Sequence, residues 1–225
     1  ISDSQPTAAD ADYTRNQYVL LGFTIAIGAV LRFWGLGTVS LHGDEETMAL
    51  ATLGILKTGS PVMPSGLFYP RGLSQLYLMA LSTKLFGVSE WGLRLPSAVA
   101  GTVAILIAFF PGKRFLPPRW NLLFVMLIAF NPWMIEMSQT ARMYIFLTAS
   151  LMLFAYLVFV WEKSGQWQHL FFSFTAFLVS LQFQQLTIFF IFLYFFPLVT
   201  QFSFRRLIHT AIAVAASTGT FLFFR

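Results

Sequence analysis

The 225-residue chain is 57% hydrophobic and only 10% charged, with 27 Phe and no Cys. Soluble domains carry about 25% charged residues, so this composition leaves too little polar surface for a water-soluble fold, and the absence of Cys excludes disulfides and thiolate metal sites. The formal charge of +5 sits on basic residues between apolar runs, where it orients a membrane protein and does not indicate nucleic acid.

Residues 1–16 read as a polar cytoplasmic tail, without apolar pattern over 1–11. A first span follows over 18–34, its only charge being Arg32 near the end, where a long side chain can snorkel to the headgroups. Residues 35–91 differ in character, rich in Gly, Pro and charge, and form the first outer loop. Two short apolar patterns lie in it, at 44–57 and 72–86. Crossing needs about 20 residues, so both are expected as helices lying in the membrane interface. The first opens on Asp44, Glu45 and Glu46, acids suited to the positive end of a helix dipole, and closes at Lys57 and Gly59. The second closes in the same way at Lys84 and Gly87.

Six further apolar runs follow, at 93–110, 121–134, 145–161, 170–182, 187–201 and 207–224. If neither short pattern crosses, Lys113, Arg114, Arg119, Lys163, Arg205 and Arg206 fall on the same side as Arg15. The positive-inside rule makes that side cytoplasmic and puts the acid-rich 35–91 loop outside. The expected fold is an all-α integral membrane bundle of seven spans with two interfacial helices. The last run ends without a polar tail, so residues 17–225 are expected to be the N-terminal transmembrane module of a longer protein.

Charged residues outside this pattern carry the chemistry. Asp44, Glu45 and Glu46 are three of only nine acids. One acid is enough to cap a helix, whereas three adjacent acids beside anionic headgroups need another reason. Arg142 lies at the outer end of a span beside strongly apolar sequence. Its guanidinium either snorkels to a headgroup or offers a planar fork of donors to a phosphate. Arg71 and Arg94 lie on the same outer side, each alone an ordinary interfacial cation. His42, His169 and His209 are far apart and show no metal-ligand spacing. Gln182, Gln184 and Gln185 mark an outer loop and receive no role. There is no Walker-type phosphate loop and no nucleophilic Ser motif.

Three stretches carry a specific resemblance. LHGDEE at 41–46, after a first span, resembles the Asp-Glu motif of membrane glycosyltransferases of the GT-C class. The branch is the one related to protein O-mannosyltransferases and to the aminoarabinose transferases that modify lipid A. KLFGVSEWGLRLPS at 84–97 is similar to a signature of that branch, and ARMY at 141–144 resembles its pattern at the outer start of the fourth span. The resemblance implies that Asp44 is the catalytic acid-motif residue, with Glu45 its motif neighbour. It also places Arg71 where lipid A-modifying relatives have a Lys near the carrier phosphate, and Arg142 and Tyr144, within the third motif, are expected to bind the donor phosphate with it. Pro70 stands where lipid A-modifying relatives have a Glu implicated in metal binding. No cofactor is therefore required by the resemblance, and a divalent metal would lack that ligand.

The implied donor is a polyprenyl- or dolichyl-phosphate sugar, and the implied acceptor a protein, lipid A or another glycan. The site would face the periplasm, the exterior or the lumen, from a plasma, inner or endoplasmic reticulum membrane. The residue types suit that chemistry independently. A glycosyl phosphate carries its own leaving group, whose developing charge wants cations such as Arg142 and Arg71. The acceptor hydroxyl needs one carboxylate to take its proton, and a single carboxylate with in-line attack inverts the anomeric centre. Retention would need a second carboxylate as nucleophile about 5 Å away, as in glycosidases. Glu45 is the formal candidate, although adjacent helix residues do not face the same way. Two rival readings use the same residues without turnover: a lipid-phosphate binder or flippase, and a structural membrane subunit.

Overall fold

A computed structural model describes residues 12–200 and 202–223 of the chain. Ten α-helices and one 3₁₀ helix make up the described elements. In order they are α1 (Arg15–Phe33), α2 (Asp44–Thr58), α3 (Leu73–Phe86), α4 (Glu90–Phe115), α5 (Pro118–Phe130) and α6 (Pro132–Gln139). There follow α7 (Tyr144–Ser164), α8 (Trp167–Phe183), the 3₁₀ helix (Gln185–Phe195), α9 (Phe196–Thr200) and α10 (Phe204–Phe223). The tail reading over 1–11, and the ends of the last two apolar runs at 201 and 224, lie outside the described residues.

Local chemistry sets the boundaries. Thr14 and Gln17 cap α1 reciprocally, side chain to backbone in both directions. Ser89 accepts from the Gly92 N–H to start α4, and Gly59 ends α2 in the left-handed conformation. The two short loop helices, α2 and α3, fall within one residue of the sequence patterns.

Among the described residues, four helices, α1, α4, α7 and α10, are long and apolar enough to cross a membrane, and the bent pair α5/α6 brings the number to five if it is one span. Large apolar side chains along them face outward, including Phe23, Val30, Phe110, Leu127 and Ile212. Such an apolar exterior suits lipid and not water. Within the helices, Thr24, Thr102, Thr148 and Thr220 return their hydroxyls to the carbonyl four residues earlier, which satisfies polar atoms where no water reaches.

Two departures from the sequence reading have physical causes. The run at 121–134 is not one straight span but α5 and α6, bent by 47° between Phe130 and Pro132. Pro132 has no N–H, so the Ile128 carbonyl loses its helical donor, and the break strands the Ala129 carbonyl as well. Arg32 supplies the missing donors. Its guanidinium donates to Ile128 O at 3.0 Å and to Ala129 O at 2.8 Å. Arg32 is therefore fully buried and does not snorkel to the headgroups. Gly101 of α4 lets it in, since a Cβ there would lie 3.0 Å from Arg32 Nε and collide with Ser138.

The second departure is the run at 187–201, which is mostly 3₁₀ and not α-helical. A 3₁₀ helix rises about 2.0 Å per residue against about 1.5 Å for an α-helix, so eleven such residues and the five of α9 cover roughly 30 Å. Thr187 at the start reaches the Ser180 carbonyl, and Thr200 at the end reaches Glu162 at 3.0 Å. The segment thus descends the length of the α7/α8 hairpin, held by the Phe154, Phe177 and Tyr194 cluster.

Replacing Arg32 with Met keeps the length but leaves both carbonyls bare, at about 1–3 kcal/mol each. The variant is expected to unfold at a clearly lower temperature in detergent. A snorkelling Arg32 would leave the midpoint unchanged.

Candidate active site

One end of the bundle gathers the C-terminal end of α1, the N-terminal ends of α2, α4 and α7, and the loop between α2 and α3. The junction is a buried ion pair. Arg94, on the first turns of α4, donates from Nε and Nη2 to the two carboxylate oxygens of Glu45 at 2.9 and 2.7 Å. The same guanidinium donates to the carbonyls of Leu36, Val39 and Ser40, which closes the chain from α1 into α2. Glu45 also accepts from the Ala141 N–H at 2.6 Å. Both side chains are at most 4% exposed. Burial alone would raise the Glu45 pKa, but the Arg94 and Ala141 hydrogen bonds and the charges of Arg94 and His42 outweigh it and hold the carboxyl below its ordinary value.

The neighbouring acid has the opposite environment. Asp44 opens α2 with its side chain 69% exposed, and it pairs with Arg142 across a chain separation of 98 residues. The N-cap of α2 is Gly43, which has no side chain to bond the first turn, and Asp44 lies in that turn with Glu45 and Glu46, where its charge also suits the positive end of the helix. Arg142 donates in turn to the Tyr144 hydroxyl at 2.8 Å and lies 5.0 Å from the centre of that ring. Three of the residues singled out in the sequence, Asp44, Arg142 and Tyr144, therefore form one contiguous group. Glu45 is adjacent, but its carboxylate is turned inward and fully engaged.

Arg71 reaches the same end by another route. The next residue, Gly72, has φ +63, a conformation that favours glycine, and packs against Met143 and Met48. Tyr69 lies within electrostatic reach of both Arg71 and Tyr144. Burial pushes its phenol up, Arg71 opposes that and Tyr144 adds to it. Arg71 itself is exposed and lines a cavity of about 710 Å³ between the loop and the ends of α8 and α10. A second, almost wholly apolar groove of about 440 Å³ runs between α3, α4, α7 and α8, and Phe183 borders both. Among the described residues, no three His, Asp or Glu side chains converge as a metal-binding group.

The dolichyl-phosphate-mannose-protein mannosyltransferase family matches residues 71–225, more than half of the chain. The chain belongs to that family. It is therefore a GT-C-type glycosyltransferase family member in a membrane, in agreement with the resemblance carried by its motifs. No curated protein and no solved structure matches it significantly. The matched stretch includes Arg71, Arg94, Arg142 and Tyr144, while Asp44 and Glu45 precede it.

For this mannosyltransferase-family chain, the residue that sequence reasoning passed over is Arg94. Read alone it is a cation at the start of a span. Its signal was the shortage of acids: a buried Glu45 needs a cation, and Arg94 stands on the first turns of the next long helix.

Folding lowers the Glu45 pKa, so the pair stabilises the protein above about pH 4.3, the ordinary Glu value, and that contribution is lost as pH falls through the depressed value. Glu45→Gln leaves Arg94 buried without its carboxylate, which costs about 3–5 kcal/mol at neutral pH. Thermal melts of the two proteins between pH 3 and 7 check this. The gap is expected to be wide at pH 7 and to narrow in acid, whereas equal melting at pH 7 would leave the pair no structural role.

Proposed function

We propose that the protein transfers a mannose-type sugar from a dolichyl- or polyprenyl-phosphate carrier to an acceptor hydroxyl, in the first instance on a protein, at the outer face of the membrane. The observation that carries this reading is the pairing of an exposed Asp44 with the half-buried Arg142. It puts a candidate base and a candidate phosphate ligand in contact, and family membership supplies the reaction type. The apolar groove beside Phe183 supports a lipid-linked donor, because a chain lying there exchanges lipid contacts for protein ones.

The acceptor oxygen attacks the anomeric carbon as the carbon–oxygen bond to phosphate breaks. The hydroxyl proton passes to the Asp44 carboxylate, and the electron pair leaves with the carrier phosphate, whose growing charge Arg142 stabilises. The incoming phosphate competes with Asp44 for Arg142. Its binding thus releases the carboxylate to act as base once the donor is seated. Tyr144 holds the guanidinium from the other side. Glu45 acts as a positioning residue, because its oxygens are taken by Arg94 and Ala141. With one carboxylate, Asp44, acting as base and none as nucleophile, the transfer is inverting.

Asp44→Asn keeps the size but removes the proton acceptor, so turnover is expected to fall about 10²–10⁴-fold. Thermal stability should change little, since the Asp44 carboxylate is exposed and Arg142 keeps its bond to Tyr144. Arg142→Lys keeps the charge and loses the fork, so both donor KM and kcat should worsen, and Arg142→Ala should do more damage. Near-normal turnover in the Asn variant, or equal kinetics for Arg and Lys, would remove the residue concerned from the chemistry.

The outer placement rests on seven crossings, with α8 and the Gln185–Thr200 segment added to the five longer ones. The chain lacks Cys, so a single introduced Cys is a unique label. Glu90→Cys is expected to react with an impermeant thiol reagent from outside and Lys113→Cys is not. The reverse pattern would invert the topology.

A further inference from the structure

The end of α8 carries three glutamines whose placement the proposed reaction has not used. Gln184 is extended, with φ −149 and ψ 121, and breaks the helix between Gln182 on the last turn of α8 and Gln185 at the start of the 3₁₀ helix. All three line the 710 Å³ cavity with Arg71, a volume within the roughly 300–1,000 Å³ of small-ligand sites. None of their amides makes a side-chain hydrogen bond among the described residues, and Arg71 has no carboxylate partner there. Gln182 and Gln184 are half-buried and line the cavity, which leaves their amides open to a ligand.

An amide offers both a donor and an acceptor, as a hydroxyl does, so three amides around one cavity suit a polyhydroxylated ligand. Leu178, Leu181, Phe183 and Phe221 give the remaining walls, apolar surface fit for the carbon faces of a sugar ring. A purely anionic ligand would call for more cations, and this cavity has one, at its rim.

We propose that this cavity receives the sugar of the donor, its hydroxyls bonded by Gln182, Gln184 and Gln185, while Arg71 contacts the phosphate beside it. The proposal rests on the glycosyl-transfer reading and deepens it, because it assigns the residues that discriminate one sugar from another. An acceptor glycan has the same hydroxyl chemistry. Arg71 favours the donor, since only the donor joins a sugar to a phosphate.

The test is equilibrium binding to the purified full-length protein in detergent, which does not depend on turnover. The probes are a short-chain isoprenyl phosphate bearing mannose and the same isoprenyl phosphate without it. The wild type is expected to prefer the mannosylated lipid. Gln182→Ala, Gln184→Ala and Gln185→Ala should each shrink that preference by about three- to tenfold, the worth of a lost hydrogen bond, with binding of the bare phosphate unchanged. Arg71→Ala should weaken both probes alike. Gln185, the most exposed of the three, is the variant least able to disturb packing. An unchanged preference in all three Gln variants overturns the proposal. If the wild type binds neither lipid, the glycosyl-transfer reading fails and the proposal with it. Binding of both lipids without preference overturns the proposal alone.

Discussion

Arg94 extends from the first turns of α4 to the Glu45 carboxylate and to three carbonyls of the chain between α1 and α2. The arrangement of this end of the bundle depends on that contact. A buried ion pair is costly to desolvate and is favourable only when its geometry is good and its remaining atoms are satisfied. Here both conditions hold, with the two Glu45 oxygens taken by Arg94 and one of them shared with Ala141. Because Glu45 is turned inward, Asp44 at the preceding position is turned outward, since adjacent helix residues point about 100° apart. Because Glu45 holds the Ala141 N–H, Arg142 is delivered next to Asp44. One buried acid thus fixes the direction of one exposed acid and the position of its cationic partner.

The same economy of scarce charges runs through the membrane part. Arg32 is buried in a helix bundle at the point where Pro132 leaves a carbonyl without a donor. The bend this produces sends α6 toward Arg142. Gln139, at the end of α6, donates to the Leu31 and Trp34 carbonyls and ties that end back to α1. The break at Pro132, the burial of Arg32 and the delivery of the 140–144 segment to the site are one structural arrangement.

Much of this was legible in the sequence, and the exceptions follow from what a one-dimensional pattern records. Composition and run length gave the helical membrane class, and glycine and lysine marks placed the ends of α2 and α3 to within a residue. The motif around Asp44 and the one around Arg142 were each visible, and their contact was what the structure added. Arg32 was misread because hydropathy records where a charge falls along a helix and not which face it occupies. Its real partners are carbonyls, which every residue has. Pro132 was a readable break that an otherwise apolar run concealed. The 3₁₀ segment was legible as apolar but not as stretched, since nothing in its composition distinguishes a rise of about 2.0 Å from about 1.5 Å per residue. The glutamines at 182, 184 and 185 carried no pattern at all, and their significance comes only from the cavity onto which the helix break turns them.

We propose that Glu45 works through Asp44 and Arg142 and takes no part in the chemistry itself. A double-mutant cycle on turnover addresses it most directly, comparing the wild type with Glu45→Gln, Asp44→Asn and the double variant, all in the same detergent. If Glu45 only positions the group, then once Asp44 can no longer accept a proton there is little left for Glu45 to place. The double variant should then be only a few-fold slower than Asp44→Asn alone, the remainder acting through Arg142. Losses that multiply in full would show Glu45 contributing independently of Asp44, and would contradict the account.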